Sequence, residues 1–504
     1  MADFTLRYGD WKGGDFGIRD PSKADADQFS GTNVLPYNSR LLGVRAGLKR
    51  LNVTGLPGHN LVPGPAGFWS MPSGALIVVL DKPYQVPNAG GAAVAWTGYP
   101  PPATTPTSPI KFLVGNGINY SLMGGKLYKH ASPASTTLVT TPADFSYMVR
   151  WGYWFVAVDV TTPWRIWFSD VTASGSNFDS WPANNYLDVG NSEPITALNP
   201  IFNTLYVGKR TGWNAVSGVL GTLASVRGVA LGLGPTDPRL TAATTDNRIL
   251  YWPVEPRPAW FNGERVSIES EQQVEHRSSP FTCDTVIVTP TARRLILAND
   301  TTAGTQILTW SSSAWTRHLF PQKLAGLVPV DVIDGSQMPA DVIYSVQAPT
   351  IVGEPVVIGS YHHDLDRPGH LDDQYAAPTD AGLPDLVAGA VTFPTYWEPI
   401  GRQVRVRTLI IQFRKWASGI PTAKNEMWVR VNALGRYGGG LELGNSQPWV
   451  EPCERASTDG TDDSWRVNIG EQGYGNGFQI DFQRIAGVAL REVVALCDVR
   501  TERA

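Results

Sequence analysis

Short apolar runs return about every 35 to 55 residues between positions 66 and 361, at 76–80, 110–114, 154–158, 203–207, 286–288 and 341–344. Runs this short, bounded by Gly, Pro, Asn and Asp, read as strands rather than helices. Several lead through a turn into a second strand rich in aromatics. Asp246 and Asn247 form a tight-turn pair ahead of Ile249, Leu250, Tyr251 and Trp252. The run at 292–300 passes Gly304 into 306–310, and a third strand follows at 314–320. Three short strands joined by hairpins, recurring at this interval, are the pattern of a β-propeller blade. The spacing allows five to seven blades, and an array of β-sandwiches is the competing architecture.

Nothing in the composition favours helices. No stretch longer than about 12 residues places Ala, Leu, Glu and Lys at a helical period. The chain holds 51 Gly, 39 Pro and 18 Trp, and its charged fraction is 17%. The fold class read from the sequence is therefore all-β. A net charge of −4 with no basic block argues against non-specific nucleic-acid binding. Three scattered cysteines, Cys283, Cys453 and Cys497, make neither a disulfide framework nor a zinc ribbon. The opening Met1 to Thr5 is unlike a signal peptide, and no 18-residue apolar run exists, so neither secretion by that route nor a membrane span is expected.

The organisation divides into four parts. Residues 1–60 are turn-rich and read as an extended arm ending in short strands. Residues 61–360 carry the propeller pattern. Residues 361–393 read as a linker or strap, punctuated by Pro368, Pro378 and Pro384. Residues 394–504 read as an independent β-sandwich. Its core is expected from Val404, Val406, Ile410, Trp428, Phe478, Ile480 and Phe482, which sit on alternating positions.

Particular segments carry a resemblance. The opening from Gly13 to Pro21, the run Asn33 to Pro36 and the stretch Arg40 to Arg50 are one set, with Ala46 where the pattern has proline. Arg165 to Asp170, Trp181 to Gly190, Ile195 to Leu198 and Leu205 to Thr211 are another. Together they resemble β-propeller virion proteins of tailed bacteriophages, over roughly 1–330. The resemblance implies a structural protein of the tail, at the hub or nozzle of a short tail or as a minor tail protein of a long one. It implies other tail or connector proteins as partners, a homo-oligomeric ring or other symmetric assembly, and a place in the virion after synthesis in the host cytoplasm. It carries no catalytic motif, so no enzyme, no cofactor and no sequence-specific nucleic acid are expected.

Five sets of residues were weighed for chemistry. His362, His363, Asp364, Asp366 and His370 combine imidazoles and carboxylates that suit a divalent metal, although Pro368 and Gly369 split them and a polar loop explains them as well. Asp459, Asp462 and Asp463 are oxygen-rich like a calcium loop but lack its terminal glutamate, so an exposed turn is the simpler reading. Ser169, Asp170, Gly175 and Trp181 resemble a sialidase turn with too long a spacing. Glu264, Glu269, Glu271 and Glu275 cluster on a polar stretch, where a glycosidase needs two facing carboxylates. Arg402, Arg405, Arg407, Arg414 and Lys415 could make a basic face, or simply the solvated side of a strand. Two other functions stay open: a propeller that binds a host-surface glycan or receptor, through tryptophans such as Trp151, Trp154, Trp164 and Trp167, and a propeller glycoside hydrolase.

Overall fold

A computed structural model describes residues 111–244 and 246–253 without a break. It describes the rest through its strands and short connections, outside 16–27, 58–66, 98–110, 269–282, 348–356, 363–388, 416–423, 444–452 and shorter gaps between neighbouring strands. Apart from the 3-10 turn Pro238–Leu240, the regular structure in the described residues is strand.

Six four-stranded antiparallel sheets, and a further run of four antiparallel strands that forms one end of a larger sheet, follow one another along the chain. Each of the first six blades has its strands in simple up-and-down order, mostly through short turns, and the third blade's last connection carries the small hairpin Asp170–Thr172 and Gly175–Asn177. The first blade begins at Gly67–Ser70, the second at Lys111–Gly115 and the third at Phe145–Trp151. The fourth begins at Ile195–Ile201, the fifth at Thr241–Ala243, the sixth at Thr285–Val288 and the seventh at Leu324–Ile333. Each of these opening strands lies beside the opening strand of the next blade, and Leu324–Ile333 lies beside Gly67–Ser70. The order of neighbours thus returns to its start.

The seventh blade is completed from the other end of the sequence. Its own strands are Leu324–Ile333, Pro339–Gln347 and Val357–His362, and its fourth is Leu48–Arg50. Tyr361 sits opposite Leu48, and the Leu51 amide donates to the Ile358 carbonyl at 2.8 Å. A short strand supplied by a distant segment removes one bare sheet edge.

Residues 389–501 build two sheets that share one core. One sheet runs through Arg402–Lys415, Val488–Thr501 and Asp462–Asn468, the other through Gly389–Thr392, Gly477–Ala486 and Lys424–Tyr437. The sandwich expected from 394 onward takes strands from both sides of that boundary. Ala2–Tyr8 pairs antiparallel with Val488–Thr501, Ala2 opposite Val499 and Tyr8 opposite Val493. The hairpin Val34–Asn38 and Leu41–Val44 continues along the same strand. Gln28–Thr32 pairs with Gly389–Thr392 on one side and with the sixth blade's Ala314–Phe320 on the other, so one sheet is continuous from propeller to sandwich. The described strands of the N-terminal segment are thus built into both modules. The segment read as a linker ends inside the sandwich too, with Val391 and Phe393 buried in its core, while 363–388 lies outside the described residues.

The core departs from simple alternation at two expected positions. Val404 and Val406 face inward, but a bulge between Val406 and Thr408 inserts one residue and changes the parity. Beyond it Leu409, Ile411 and Phe413 are buried and Ile410 is only half-buried. A second irregularity between Glu426 and Trp428 accompanies the burial of Met427 and Val429, leaving Trp428 half-buried with the Arg484 guanidinium 5.6 Å from its ring. Phe478, Ile480 and Phe482 are in the core as alternation predicts.

Candidate interaction surface

The polar groups buried in the blades are structural. Asp159 ends the third blade's second strand, and its carboxylate accepts from the Thr161 and Thr162 amides at 2.7 and 3.0 Å and from Trp167 Nε1 at 2.9 Å. That locks the turn into the next strand and satisfies a buried indole. Lys209 lies between the third and fourth blades. Its ammonium donates to the Val189 carbonyl at 2.5 Å, the Asn191 carbonyl at 2.6 Å and Asn191 Oδ1 at 3.0 Å. Burial draws its pKa below the ordinary lysine value, against the pull of Glu193.

Ser121 and His130 look at first like a nucleophile and its base, with Oγ and Nε2 2.8 Å apart. The third partner is the Thr136 hydroxyl, 2.9 Å from Nδ1, where a triad would have a carboxylate. Ser121 is 0% and His130 2% exposed, and the imidazole packs against Trp96 at 4.8 Å, so no substrate reaches them. Burial lowers the His130 pKa from 6.5 to about 4. The sign of the consequence is fixed. As pH falls below 6.5 the unfolded chain takes up a proton that the folded chain refuses until about 4. Stability should be level above pH 6.5 and fall by about 3 kcal/mol between there and pH 4. Urea unfolding across that range should show the loss, and His130→Gln should flatten it.

The sequence-chosen residues fall as follows. His362 ends the strand Val357–His362 opposite Val342. His363, Asp364, Asp366 and His370 lie outside the described residues, as do Asp459, Glu269, Glu271 and Glu275. Asp462 pairs with Arg491, and Asp463 with Lys415 at 3.6 Å, so cations of the chain itself answer both carboxylates. Ser169 is buried and accepts from the Phe155 amide at 2.9 Å, and Asp170 accepts from its neighbour Val171. Glu264 is exposed beside a turn. Trp151 and Trp167 are buried, Trp154 and Trp164 half-buried. Cys283 and Cys497 are buried, and burial pushes the Cys497 thiol up to about 12, so it packs rather than reacts.

One face of the third and fourth blades is different. In an up-and-down sheet the turn after the first strand and the connection after the third lie at the same end. At that end the third blade presents Tyr153, 64% exposed, and the fourth presents Phe202 and Leu223, each 79% exposed, with Val219 between them in sequence. The two turns touch, since Trp151 Nε1 donates to the Phe202 carbonyl at 3.2 Å. A side chain at Gly221 would meet the Phe168 ring at 3.6 Å, which sets the Val219–Leu223 connection against the third blade.

Phe202 is the telling residue. Its φ is +47°, a region that bulky side chains adopt only under strain. Asn116 and Gly152 hold the corresponding turn position in the two preceding blades, at +51° and +57°, as turn chemistry prefers. Phe202 therefore bears backbone strain and leaves its ring in water, and neither helps the fold. Sequence reading misses it because an aromatic among strand residues is taken for core.

The topology defines a class: an all-β protein of the propeller type, joined to a β-sandwich by its N-terminal segment. No family profile matches the sequence, and no curated protein matches it. Among solved structures the chain is similar to the WD40 domain of Toxoplasma gondii coronin, at 8% identity and a TM-score of 0.39, covering 68% of this chain and 87% of that one. It is similar also to the N-terminal domain of Nup159, at 12% identity and a TM-score of 0.36, covering 66% of this chain and 99% of that one. A proposed 6-phosphogluconolactonase of Bacteroides uniformis shares 11% identity at a TM-score of 0.36, covering 60% and 93%. Likeness at this level says nothing about function.

Proposed function

We propose that the protein is a structural component of a tailed bacteriophage virion, a scaffold of the tail whose propeller docks against other tail or connector proteins. The observation that carries this reading is the strained, exposed Phe202 beside Tyr153 and Leu223. A contiguous apolar face retained at the expense of the fold is what a protein interface needs. The lacing of both modules by one N-terminal segment suits a body that must hold its shape under load, and the sequence resemblance points to the same class. The role is assembly, in a ring or other symmetric arrangement, rather than catalysis.

Two variants test it. Phe202→Asn relieves the strain and should raise the unfolding free energy by about 1 kcal/mol. The same change combined with Leu223→Asp should remove the chain from purified particles of a phage that encodes it, while the variant remains folded by circular dichroism. Normal incorporation of the double variant would end the interface, and absence of the wild-type chain from particles would end the tail assignment.

A further inference from the structure

We infer that the outward face of the sandwich sheet through Arg402–Lys415 binds an acidic polysaccharide. The site lies in a different module from the Phe202 face and stands whether or not the assembly reading holds.

The face is built by strand alternation. Val404, Val406, Leu409, Ile411 and Phe413 point into the core. That leaves Arg405, Arg407 and Arg414 outward, the Val406/Thr408 bulge placing Arg407 in the open. The flanking strands add Arg466 on one side and Arg500 on the other. Arg407, Arg414, Arg466 and Arg500 are exposed, in a chain whose net charge is −4. Among the described residues the carboxylates on this face are fewer and engaged. Asp498 is buried between Arg405 at 2.9 Å and Arg407 at 3.5 Å, Asp462 pairs with Arg491, and Glu492 pairs with Arg7 at 3.1 Å.

Two guanidiniums are held in place before any ligand arrives. Arg405 and Arg500 lie over the Tyr474 ring at 4.7 and 4.1 Å, and Arg500 also donates through Nε and Nη2 to Gln403 Oε1 at 2.9 and 2.6 Å. Fixing them beforehand lowers the entropy lost on binding. The outward cations named here are arginines, whose planar forks match carboxylate and sulfate. A strand rises about 3.3 Å per residue, so Arg405 to Arg414 makes a stripe roughly 30 Å long. That suits a linear polyanion read at several points. Gln412, Ser464 and Asn468 are exposed between the charges and can meet sugar hydroxyls.

Other polyanions fit less well. Base-stacking recognition of single-stranded nucleic acid needs an open aromatic platform, and Tyr474 is engaged by two guanidiniums. An acidic protein partner would need an apolar anchor, and among the described residues the large exposed hydrophobics all lie outside this sandwich.

The test uses the full chain in biolayer interferometry with three immobilised probes: polygalacturonate, neutral dextran and double-stranded DNA. Polygalacturonate should bind, dextran should not, and rising salt should weaken binding steeply. Arg407→Gln with Arg466→Gln should reduce polygalacturonate affinity at least about tenfold with an unchanged melting temperature. Arg466→Gln alone should weaken it in the same direction, should the double variant fail to fold. Arg265→Gln, on the fifth blade, should leave it unaltered. Failure to bind polygalacturonate, equal binding of dextran, or wild-type affinity in the folded variants overturns the proposal. DNA bound more tightly than polygalacturonate, with the same dependence on these arginines, overturns it in favour of a nucleic-acid face.

Discussion

Deleting Ala2–Tyr8 should split thermal unfolding into two transitions, with the sandwich melting well before the propeller. Tyr8 is buried and stacked on Phe393 at 5.0 Å, while Phe4 and Leu6 pack against the same core. Losing one buried aromatic side chain removes about 3–5 kcal/mol. Losing the strand also strips seven paired positions from Val488–Thr501 and opens the core beside Cys497. The sandwich should therefore lose more than about 5 kcal/mol. The propeller keeps its own contribution from the N-terminal segment, Leu48–Arg50, and should melt almost as before. Differential scanning calorimetry would show the split, and a synthetic peptide of residues 1–9 added in excess should restore the upper position of the sandwich transition. A single, unshifted transition would mean that the strand is dispensable.

Lys209→Met should cost about 1–3 kcal/mol. Lys209 is 2% exposed, and its ammonium serves two carbonyls and one amide oxygen of the segment joining the third and fourth blades. Methionine fills the space and leaves the buried Val189 carbonyl without this donor, while the acceptors of exposed Asn191 can turn to water. Equilibrium unfolding in urea would read the loss. Because Val189 belongs to the same apolar cluster as Leu198 and Leu205, the damage should spread into both blades. Hydrogen exchange should then quicken in the strands Tyr186–Asp188 and Thr204–Lys209 together. Had the lysine been a passive space-filler, methionine would be neutral.

Local pattern carries much of this fold, and its failures have physical causes. Phe478, Ile480 and Phe482 are legible because their strand pairs without a bulge through those positions. Ile410 is not, because one inserted residue near Val406 reverses every later side chain and leaves no mark in the alternation. The partners of Ala2–Tyr8 cannot be read at all: pairing across 485 residues depends on which edge is left bare after the rest has folded. The exposed turn at Phe202 has the opposite difficulty. Its signal is present, an aromatic where neighbouring blades put Asn116 or Gly152, but it emerges only once the blades are aligned.

Pairing the first strand with one so distant has a consequence for synthesis. At about 5–20 residues per second, the ribosome needs roughly 25–100 s to travel the 485 residues from Arg7 to its partner Glu492. Throughout that interval Phe4, Leu6 and Tyr8 trail from the nascent chain with no sheet to join, while successive blades emerge and close their hairpins in microseconds. The apolar first strand is then open to any holdase chaperone, and to the first strands of neighbouring chains on the same polysome.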